Sequence, residues 1–145
     1  MIDIMFDHNG IGLAAPQVGL DQRLFVMRDP HDPIHKSAAH IFSNPVLEEH
    51  GHDKPEDFEG CLSLLSVKTK VKRWHWVEFS FDDLEEPGQR LTWRFEAINA
   101  RCVQHEIDHL DGILIFDHIN SNLVQKMFIE KVLKAKKAAG RRGNL

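Results

Sequence analysis

The segment that decides the fold runs from Leu91 to Gly112 and has the sequence LTWRFEAINARCVQHEIDHLDG. In its first part Leu91, Trp93 and Phe95 alternate with polar residues, which predicts a strand with one buried face. In its second part apolar residues and histidines recur at helical spacing, and Gly112 suits the left-handed end of a helix. The change of period predicts a strand that leads directly into a helix.

The chain before this segment also alternates. Between Val67 and Phe81 apolar side chains share one phase, which predicts one long strand or a bent pair of strands. Residues 86–88, Glu-Pro-Gly, have the chemistry of a turn, so we expect a hairpin there. Strands followed by helices predict an α+β fold, with antiparallel sheets around the helix that ends near Gly112.

Five further segments have weaker patterns. We expect the last turns of a helix at Met1–Asn9, a tightly packed loop at residues 10–19, a short buried strand at Arg23–Met27, a loop at residues 31–45 and a second helix at residues 121–139.

The composition indicates a single globular domain of 145 residues, with 42% hydrophobic and 28% charged residues. We expect this domain to span residues 1–145 and to end in a tail at residues 140–145. Two cysteines are too few for a disulfide framework and indicate a reducing compartment. No long apolar run or leader pattern is present. We therefore expect a cytoplasmic protein of bacterial type, or a mitochondrial or plastid one in a eukaryote, with no membrane or DNA partner.

The net charge of −4 is unevenly distributed. Residues 126–145 carry seven Lys or Arg side chains and one acidic residue, Glu130. One interpretation is a solvated face of the second helix. The other is a basic surface for an anionic partner such as RNA.

Residues 105–109, HEIDH, have the form H-E-x-x-H. On a helix His105 and His109 lie one turn apart on the same face, so both imidazoles can bind one ion. Glu106 can then lie beside a bound water and move its proton. The alternative is a pair of polar histidines on an exposed face.

A third ligand is expected, because a catalytic zinc-type site takes three protein ligands and one open position. His118 and Glu130 lie downstream but do not continue the motif. Cys61 lies upstream between a glycine and small polar residues. From spacing alone, a metal thiolate and a small buried thiol are equally good interpretations of Cys61.

Three segments resemble the signature motifs of peptide deformylases: GIGLAAPQ at residues 10–17, EGCLS at residues 59–63 and QHEIDHL at residues 104–110. The resemblance implies that Cys61, His105 and His109 hold one divalent metal ion per chain. The family typically uses Fe²⁺, and Zn²⁺, Ni²⁺ or Co²⁺ are found as substitutes.

The resemblance also implies an activity, the removal of the formyl group from formyl-methionyl peptides. Metal-hydroxide attack on the formyl carbon is implied, with Glu106 as general base and then acid. The side-chain amide of Gln17 and the backbone N–H of Leu62 would stabilise the oxyanion. Asp108 and Gln104 are expected to orient the histidines. The residues that match substrate-binding positions are Gly10, Ile11, Gly12, Gly60, Arg73, Arg101 and Cys102.

The chain departs from the family pattern at two places. Leu64 and Leu65 follow Ser63 where a proline is usual. The family also has some tens of residues before the first motif, so we expect the N-terminal strand and most of the first helix to be absent. We therefore expect a homodimer or another partner to cover the exposed core.

Two other functions remain open from the sequence. One is a deformylase-like protein with weak turnover that binds peptides or the ribosome. The basic helix at residues 121–139 is the expected ribosome contact, since some bacterial members of the family use theirs in this way. The other is a general H-E-x-x-H endopeptidase, which would not depend on Cys61.

Overall fold

The computed structural model describes residues 1–29, 35–64 and 68–120, together with residues 122, 124 and 130. Over the three continuous ranges the helices and strands are α1 (Ile2–Asp7), β1 (Gly12–Ala14), β2 (Leu24–Arg28), β3 (Ala39–His50), β4 (Glu56–Gly60), β5 (Lys68–Lys72), β6 (Trp76–Asp82), β7 (Arg90–Glu96) and α2 (Ala97–Leu110). Residues 122, 124 and 130 are helical. The rest of the predicted helix at residues 121–139, and the basic tail, lie outside the described residues.

The described strands form two antiparallel sheets. Five strands pair in the order β1-β2-β3-β6-β7, and β4 pairs with β5. Helix α2 packs against β1, β2, β6 and β7. The core between helix and sheet is built mainly from four phenylalanines and the apolar face of α2: Phe25, Phe42, Phe79, Phe81, Ala100, Val103 and Ile107. The predicted α+β class is confirmed.

The alternating segment before residue 82 forms the bent pair of strands. β5 and β6 belong to different sheets, and Arg73 lies in the link between them. Val71 of β5 and Val77 of β6 are both buried, as their shared phase predicts. β6 pairs antiparallel with β7, which confirms the hairpin at residues 86–88.

The expected loop at residues 31–45 is wrong for its second half. β3 begins at Ala39 and pairs with both β2 and β6. Pro45 looks like a strand breaker in sequence, but it lies at a register shift between Ser43 and Val46, where a strand can accommodate proline. Residues 31–34 lie outside the described residues.

The N-terminal predictions are largely confirmed, with one correction. α1 and β2 agree with the expected helix and strand to within about two residues. The expected loop at residues 10–19 contains the short strand β1, which pairs with β2. A Cβ at Gly12 would lie 2.5 Å from Glu106 Oε1 and 2.7 Å from Cys102 Sγ. The small residue therefore allows β1 to approach helix α2.

Helix α2 ends as its sequence predicts. Its last residue is Leu110, and Gly112 has a φ of 74°. A left-handed backbone is favourable for glycine, which has no Cβ. Within the part of the chain that the structure describes, no helix is both long enough and apolar enough to cross a bilayer.

Candidate active site

Helix α2 buries five polar side chains, and three of them belong to the H-E-x-x-H motif. His105 and His109 lie one turn apart, and their Nε2 atoms are 3.1 Å apart. Glu106 follows the first histidine and is only 4% exposed. Buried polar groups without partners are costly. The nearby elements therefore have to supply partners, or a bound group has to do so.

Cys61 is brought to these histidines by the chain that follows β4. Its Sγ lies 3.2 Å from His109 Nε2, and the ligand atoms of Cys61, His105 and His109 all lie within 4.8 Å of one another. Zinc-type ions bind nitrogen at about 2.0–2.1 Å and sulfur at about 2.3 Å, so three ligands of one ion lie roughly 3.3–3.7 Å apart. The group fits one divalent ion, and its donor set suits iron or zinc. His118, the downstream alternative, instead hydrogen-bonds Asp108 at 2.6 Å.

The ionisation states of Cys61 and His105 are coupled. Burial opposes ionisation of the thiol, but hydrogen bonds from His105 and His109 outweigh it and lower the pKa of Cys61 to about 5. Burial also opposes the charge of His105, but hydrogen bonds with Cys61 and Glu59 raise its pKa to about 10. In the metal-free protein at neutral pH, Cys61 is therefore a thiolate beside an imidazolium. The thiolate is the form that binds metals.

Glu106 has the environment of a general base. Burial raises its pKa to about 7, although the nearby histidines act in the opposite direction. Its Oε2 is buried and has no hydrogen-bond partner among the described residues. A carboxylate with a pKa near neutrality can accept a proton and later return it.

The side chain of Gln17 is held at both ends of its amide. The backbone N–H of Ala14 donates to Gln17 Oε1 at 2.8 Å, and Gln17 Nε2 donates to Ser63 Oγ at 3.0 Å. The same Nε2 lies 3.6 Å from Cys61 Sγ. The 3₁₀ turn Ala15–Val18 carries Gln17 and begins with alanine and proline. Gln17 therefore presents an N–H group beside the candidate metal ligands.

A cavity of about 650 Å³ borders these groups. Six of the seven predicted substrate-binding residues line it: Gly10, Ile11, Gly12, Gly60, Arg101 and Cys102. The candidate catalytic and metal residues that also line it are Gln17, Cys61, Leu62, His105 and Glu106. The sequence prediction therefore identified most of the residues around one cavity.

Six further residues that sequence reasoning did not assign to the cavity also line it: Asn9, Phe58, Glu59, Leu64, Lys68 and Ile98. Phe58, Lys68 and Ile98 are exposed at its surface. Ile98 could have been found, because it lies one helical turn before Cys102. Phe58 and Lys68 could not, because the pairing of β4 with β5 brings them to the cavity and no local pattern predicts that pairing.

Arg73 is the predicted substrate-binding residue that lies outside the cavity lining. Its side chain is 4% exposed. Its Nε and Nη2 donate to the two oxygens of Glu59 at 2.9 and 3.1 Å, and its Nη1 donates to Asp108 at 2.5 Å. These ion pairs occupy the guanidinium that was expected to hold the peptide. The role of Arg73 in holding the peptide stays a prediction.

Glu59 is a buried site residue that sequence reasoning missed. Its Oε2 lies 3.2 Å from His105 Nδ1, and Arg101 Nη1 donates to its Oε1 at 2.8 Å. Burial opposes its charge, but bonds from His105, Arg73 and Arg101 lower its pKa to about 2. A proton on His105 Nδ1 that points at Glu59 leaves Nε2 free for a metal. The signal in the sequence was its place two residues before Cys61, on the same face of an extended chain.

The two residues expected to orient the histidines make other contacts. Asp108 pairs with Arg73, and Gln104 bonds the backbone of Trp74 and Ala100. Both lie close to the ligands in sequence, but the bonds of their side chains are to other groups. In the described structure Glu59 makes the contact with His105 that was expected of them.

Sequence comparison places the chain among known proteins. The profile of the family described as "Polypeptide deformylase" matches residues 1–125. Peptide deformylase 2 of Gloeobacter violaceus is 39% identical over 124 residues. The match covers 85% of this chain and 64% of that protein, so the chain spans less than two thirds of that relative's length.

Structural comparison agrees with the sequence comparison. A peptide deformylase from Plasmodium falciparum matches with a TM-score of 0.80 and 33% identity, over 95% of this chain and 80% of that chain. A class I type b peptide deformylase from Acinetobacter baumannii, solved with bound Met-Ala-Ser, matches with a TM-score of 0.70 and 33% identity, over 82% and 76%. Since the profile spans most of the sequence and the fold agrees over most of the structure, this chain belongs to the polypeptide deformylase family.

Proposed function

We propose that the chain is a metal-dependent peptide deformylase that removes the formyl group from formyl-methionyl polypeptides. The observation that carries this proposal is the arrangement of Cys61, His105 and His109 around one point, with the buried carboxylate of Glu106 beside them at a cavity. Amide hydrolysis needs an activated water, a group that moves its proton and a pocket for the substrate. The site offers a candidate for each.

Cys61, His105 and His109 would hold the ion through one sulfur and two nitrogen atoms. The ion would supply a Lewis acid that lowers the pKa of a bound water towards neutrality. We propose Fe²⁺ as the ion in the cell, by the family resemblance, with Zn²⁺, Ni²⁺ or Co²⁺ as substitutes. The thiolate and imidazole donors fit iron and zinc equally well.

Glu106 would take the proton of the attacking water and deliver it to the amine. The C–N bond of the formamide then breaks, and the products are formate and a free N-terminal amine. The pKa of about 7 supports both halves of this transfer at neutral pH. The buried, unpartnered Oε2 supports the carboxylate as the acceptor, because that oxygen has no other described bond to give up.

Gln17 and Leu62 would donate to the oxygen of the formyl group as it becomes negative. The Gln17 amide is held by Ala14 and Ser63, so its N–H needs little reorganisation during the reaction. Leu62 follows Cys61 directly, and its backbone N–H is the second proposed donor. Both residues line the cavity.

The peptide would lie along β1. This strand is at one end of the described five-stranded sheet, so one side of its backbone is unpaired within that sheet. An extended peptide can add to such an edge through main-chain hydrogen bonds. Ile11 and Gly12 lie there, and Gly60 and Cys102 line the cavity beside them. The binding of Met-Ala-Ser by the similar A. baumannii enzyme supports a short methionyl peptide as the ligand.

Hydrolysis of formyl-Met-Ala-Ser tests this function. We expect the metal-loaded protein to release formate and Met-Ala-Ser. A rate no greater than that of the Glu106→Ala variant would contradict the proposal, and would favour the alternative of a deformylase-like binding protein.

Replacement of Gln17 by alanine is expected to lower kcat by about 100- to 1,000-fold, the usual cost of removing one oxyanion donor. KM should change little, because the donor acts mainly on the transition state. Steady-state kinetics on formyl-Met-Ala-Ser measure both constants. Gln89→Ala, at an exposed position of the β6–β7 hairpin, is the matched control. An unchanged kcat in Gln17→Ala would rule out this role.

Metal uptake is expected to release protons. The pKa of about 10 keeps His105 protonated in the metal-free protein at pH 7, and it must lose a proton to bind an ion. Binding of Zn²⁺ should therefore release about one proton, and the affinity should rise about tenfold per pH unit between about pH 6 and 9. Below about pH 5 the slope should steepen, since Cys61 is then protonated as well. Calorimetry in buffers of different ionisation enthalpy measures the release, and uptake without proton release would contradict these ionisation states.

The expected partners beyond the substrate stay predictions. The ribosome contact involves residues 121–139, nearly all of which lie outside the described residues. The homodimer, the cytoplasmic or organellar location and the single domain over residues 1–145 are likewise proposals that follow from the sequence.

A further inference from the structure

A chain of polar side chains connects the candidate ligand His105 to the protein surface. We call it the polar chain and define it as Glu59, Arg73, Asp108 and His118. Glu59 contacts His105, Arg73 pairs with both Glu59 and Asp108, and His118 Nε2 lies 2.6 Å from Asp108 Oδ2. The exposed fraction of the side chains rises outward, from 5% for Glu59 and 4% for Arg73 to 17% for Asp108 and 29% for His118.

The members of the polar chain come from four different parts of the fold. Glu59 is in β4, just before Cys61, and Asp108 is in α2, just before His109. Arg73 lies in the link between β5 and β6, and His118 ends the 3₁₀ turn Ile115–His118. The polar chain therefore joins the two segments that carry the candidate metal ligands.

The contacts within the polar chain share atoms. Glu59 Oε2 accepts from Arg73 Nη2 and also contacts His105 Nδ1, so the guanidinium influences where that oxygen lies. Asp108 Oδ2 in turn accepts from Arg73 Nη1 and is bonded by His118 Nε2. Arg73 Nη1 also lies 3.4 Å from His118 Nε2, so the guanidinium, the Asp108 carboxylate and the imidazole are in mutual contact.

Two ion pairs elsewhere on the sheet lack this connection. Arg90–Asp82 and Arg23–Asp111 are partly exposed, and neither includes a residue that contacts a candidate ligand. Exposed ion pairs of this kind contribute little to the free energy of unfolding. A residue bonded to a metal ligand, in contrast, orients that ligand and changes metal affinity by about 10- to 100-fold.

We propose that Asp108 and His118 are positioning residues of the metal centre, which act on His105 through Arg73 and Glu59. The inference rests on the proposed metal site at Cys61, His105 and His109. It adds that the orientation of His105 depends on groups that do not touch the ion or the substrate.

The test uses the full chain loaded with Co²⁺, whose visible absorption reports ligand geometry. Three quantities are measured for each variant: the rate of Co²⁺ loss to an excess of chelator, the visible spectrum and the melting temperature. We compare His118→Phe, which removes the donor to Asp108, with His118→Gln, which can keep an N–H donor. Asp108→Asn weakens the same contact from the other side, because it removes the negative charge of the acceptor. Asp82→Asn makes the same change in the Arg90 pair and is its matched control.

We expect His118→Phe and Asp108→Asn to lose Co²⁺ about tenfold faster than the unaltered protein, with an altered spectrum. His118→Gln and Asp82→Asn should stay within about twofold of it. A lower melting temperature in His118→Phe with an unchanged release rate and spectrum would overturn the proposal, because it indicates a structural role only. If Asp108→Asn fails to fold, the comparison of His118→Phe with His118→Gln still tests the positioning role.

The same experiment separates this inference from the proposed function. Failure of the unaltered protein to bind Co²⁺ through Cys61, shown by equal binding in Cys61→Ser, would refute the metal site itself. Binding that depends on Cys61 but does not respond to His118→Phe would refute only the positioning role.

Discussion

The Glu106→Gln variant is expected to lose about 1,000-fold or more in kcat while it keeps one metal ion per chain. Glutamine has nearly the same size as glutamate, so the close contact with Gly12 should persist. It cannot accept a proton, and general acid–base groups contribute about 100- to 10,000-fold to a rate. Formate release from formyl-Met-Ala-Ser measures the rate, and metal analysis of the same sample measures the occupancy.

The matched control for this variant is Glu96→Gln. Glu96 is exposed and immediately precedes the same helix, so its replacement should leave both kcat and metal content unchanged. More than about a tenth of the original kcat in a fully loaded Glu106→Gln protein would contradict the role of Glu106, since general-base loss costs at least about 100-fold.

The Cys61→Ser variant is expected to lose its metal and, with it, its activity. A thiolate with a pKa of about 5 is ionised at neutral pH, whereas a serine hydroxyl is neutral and a harder ligand. We expect metal affinity to fall by at least about 100-fold, which is more than the loss expected for residues that only support a ligand. Dialysis against a metal buffer followed by metal analysis measures the change.

Cys102→Ser is the control for the loss of a buried thiol. Cys102 is 3% exposed and lines the same cavity, but it is outside the group of ligand atoms. The Cys102→Ser variant should therefore keep its metal ion. The general endopeptidase alternative predicts that Cys61→Ser also keeps its metal and that internal peptide bonds are cleaved. Either result would contradict the deformylase proposal.

The local part of the site could be predicted from sequence spacing. His105, Glu106 and His109 come together because residues one helical turn apart share a face, and the change of period before residue 98 indicates where the helix begins. Gly112 indicates where it ends. The structure has these features where the sequence predicts them.

The non-local part of the site could not be derived from spacing. Cys61 lies more than forty residues before the histidines and reaches them only because β4 and the following turn pack beside α2. Spacing alone did not distinguish a core thiol from a metal ligand at Cys61. The resemblance at three motifs favours the metal ligand. The resemblance matched Arg73 to a peptide-binding position, and spacing could not predict that its side chain pairs with Glu59 and Asp108.

Buried charges and irregular strands were the hardest features to predict. Glu59 could not be singled out from the sequence, since its partners Arg73, Arg101 and His105 come from three distant positions. β3 was missed because Pro45 resembles a strand breaker and the register shift that accommodates it depends on pairing with β6. Both features arise from tertiary contacts, which hydrophobic periodicity does not encode.

Anaerobic titration of the metal-free protein with Fe²⁺, with formate release from formyl-Met-Ala-Ser as the readout, tests the central claim most directly. Activity should rise in proportion to added iron and stop rising at about one ion per chain, with Met-Ala-Ser as the other product. Full occupancy at Cys61, His105 and His109 without formate release above the Glu106→Ala background would contradict the claim.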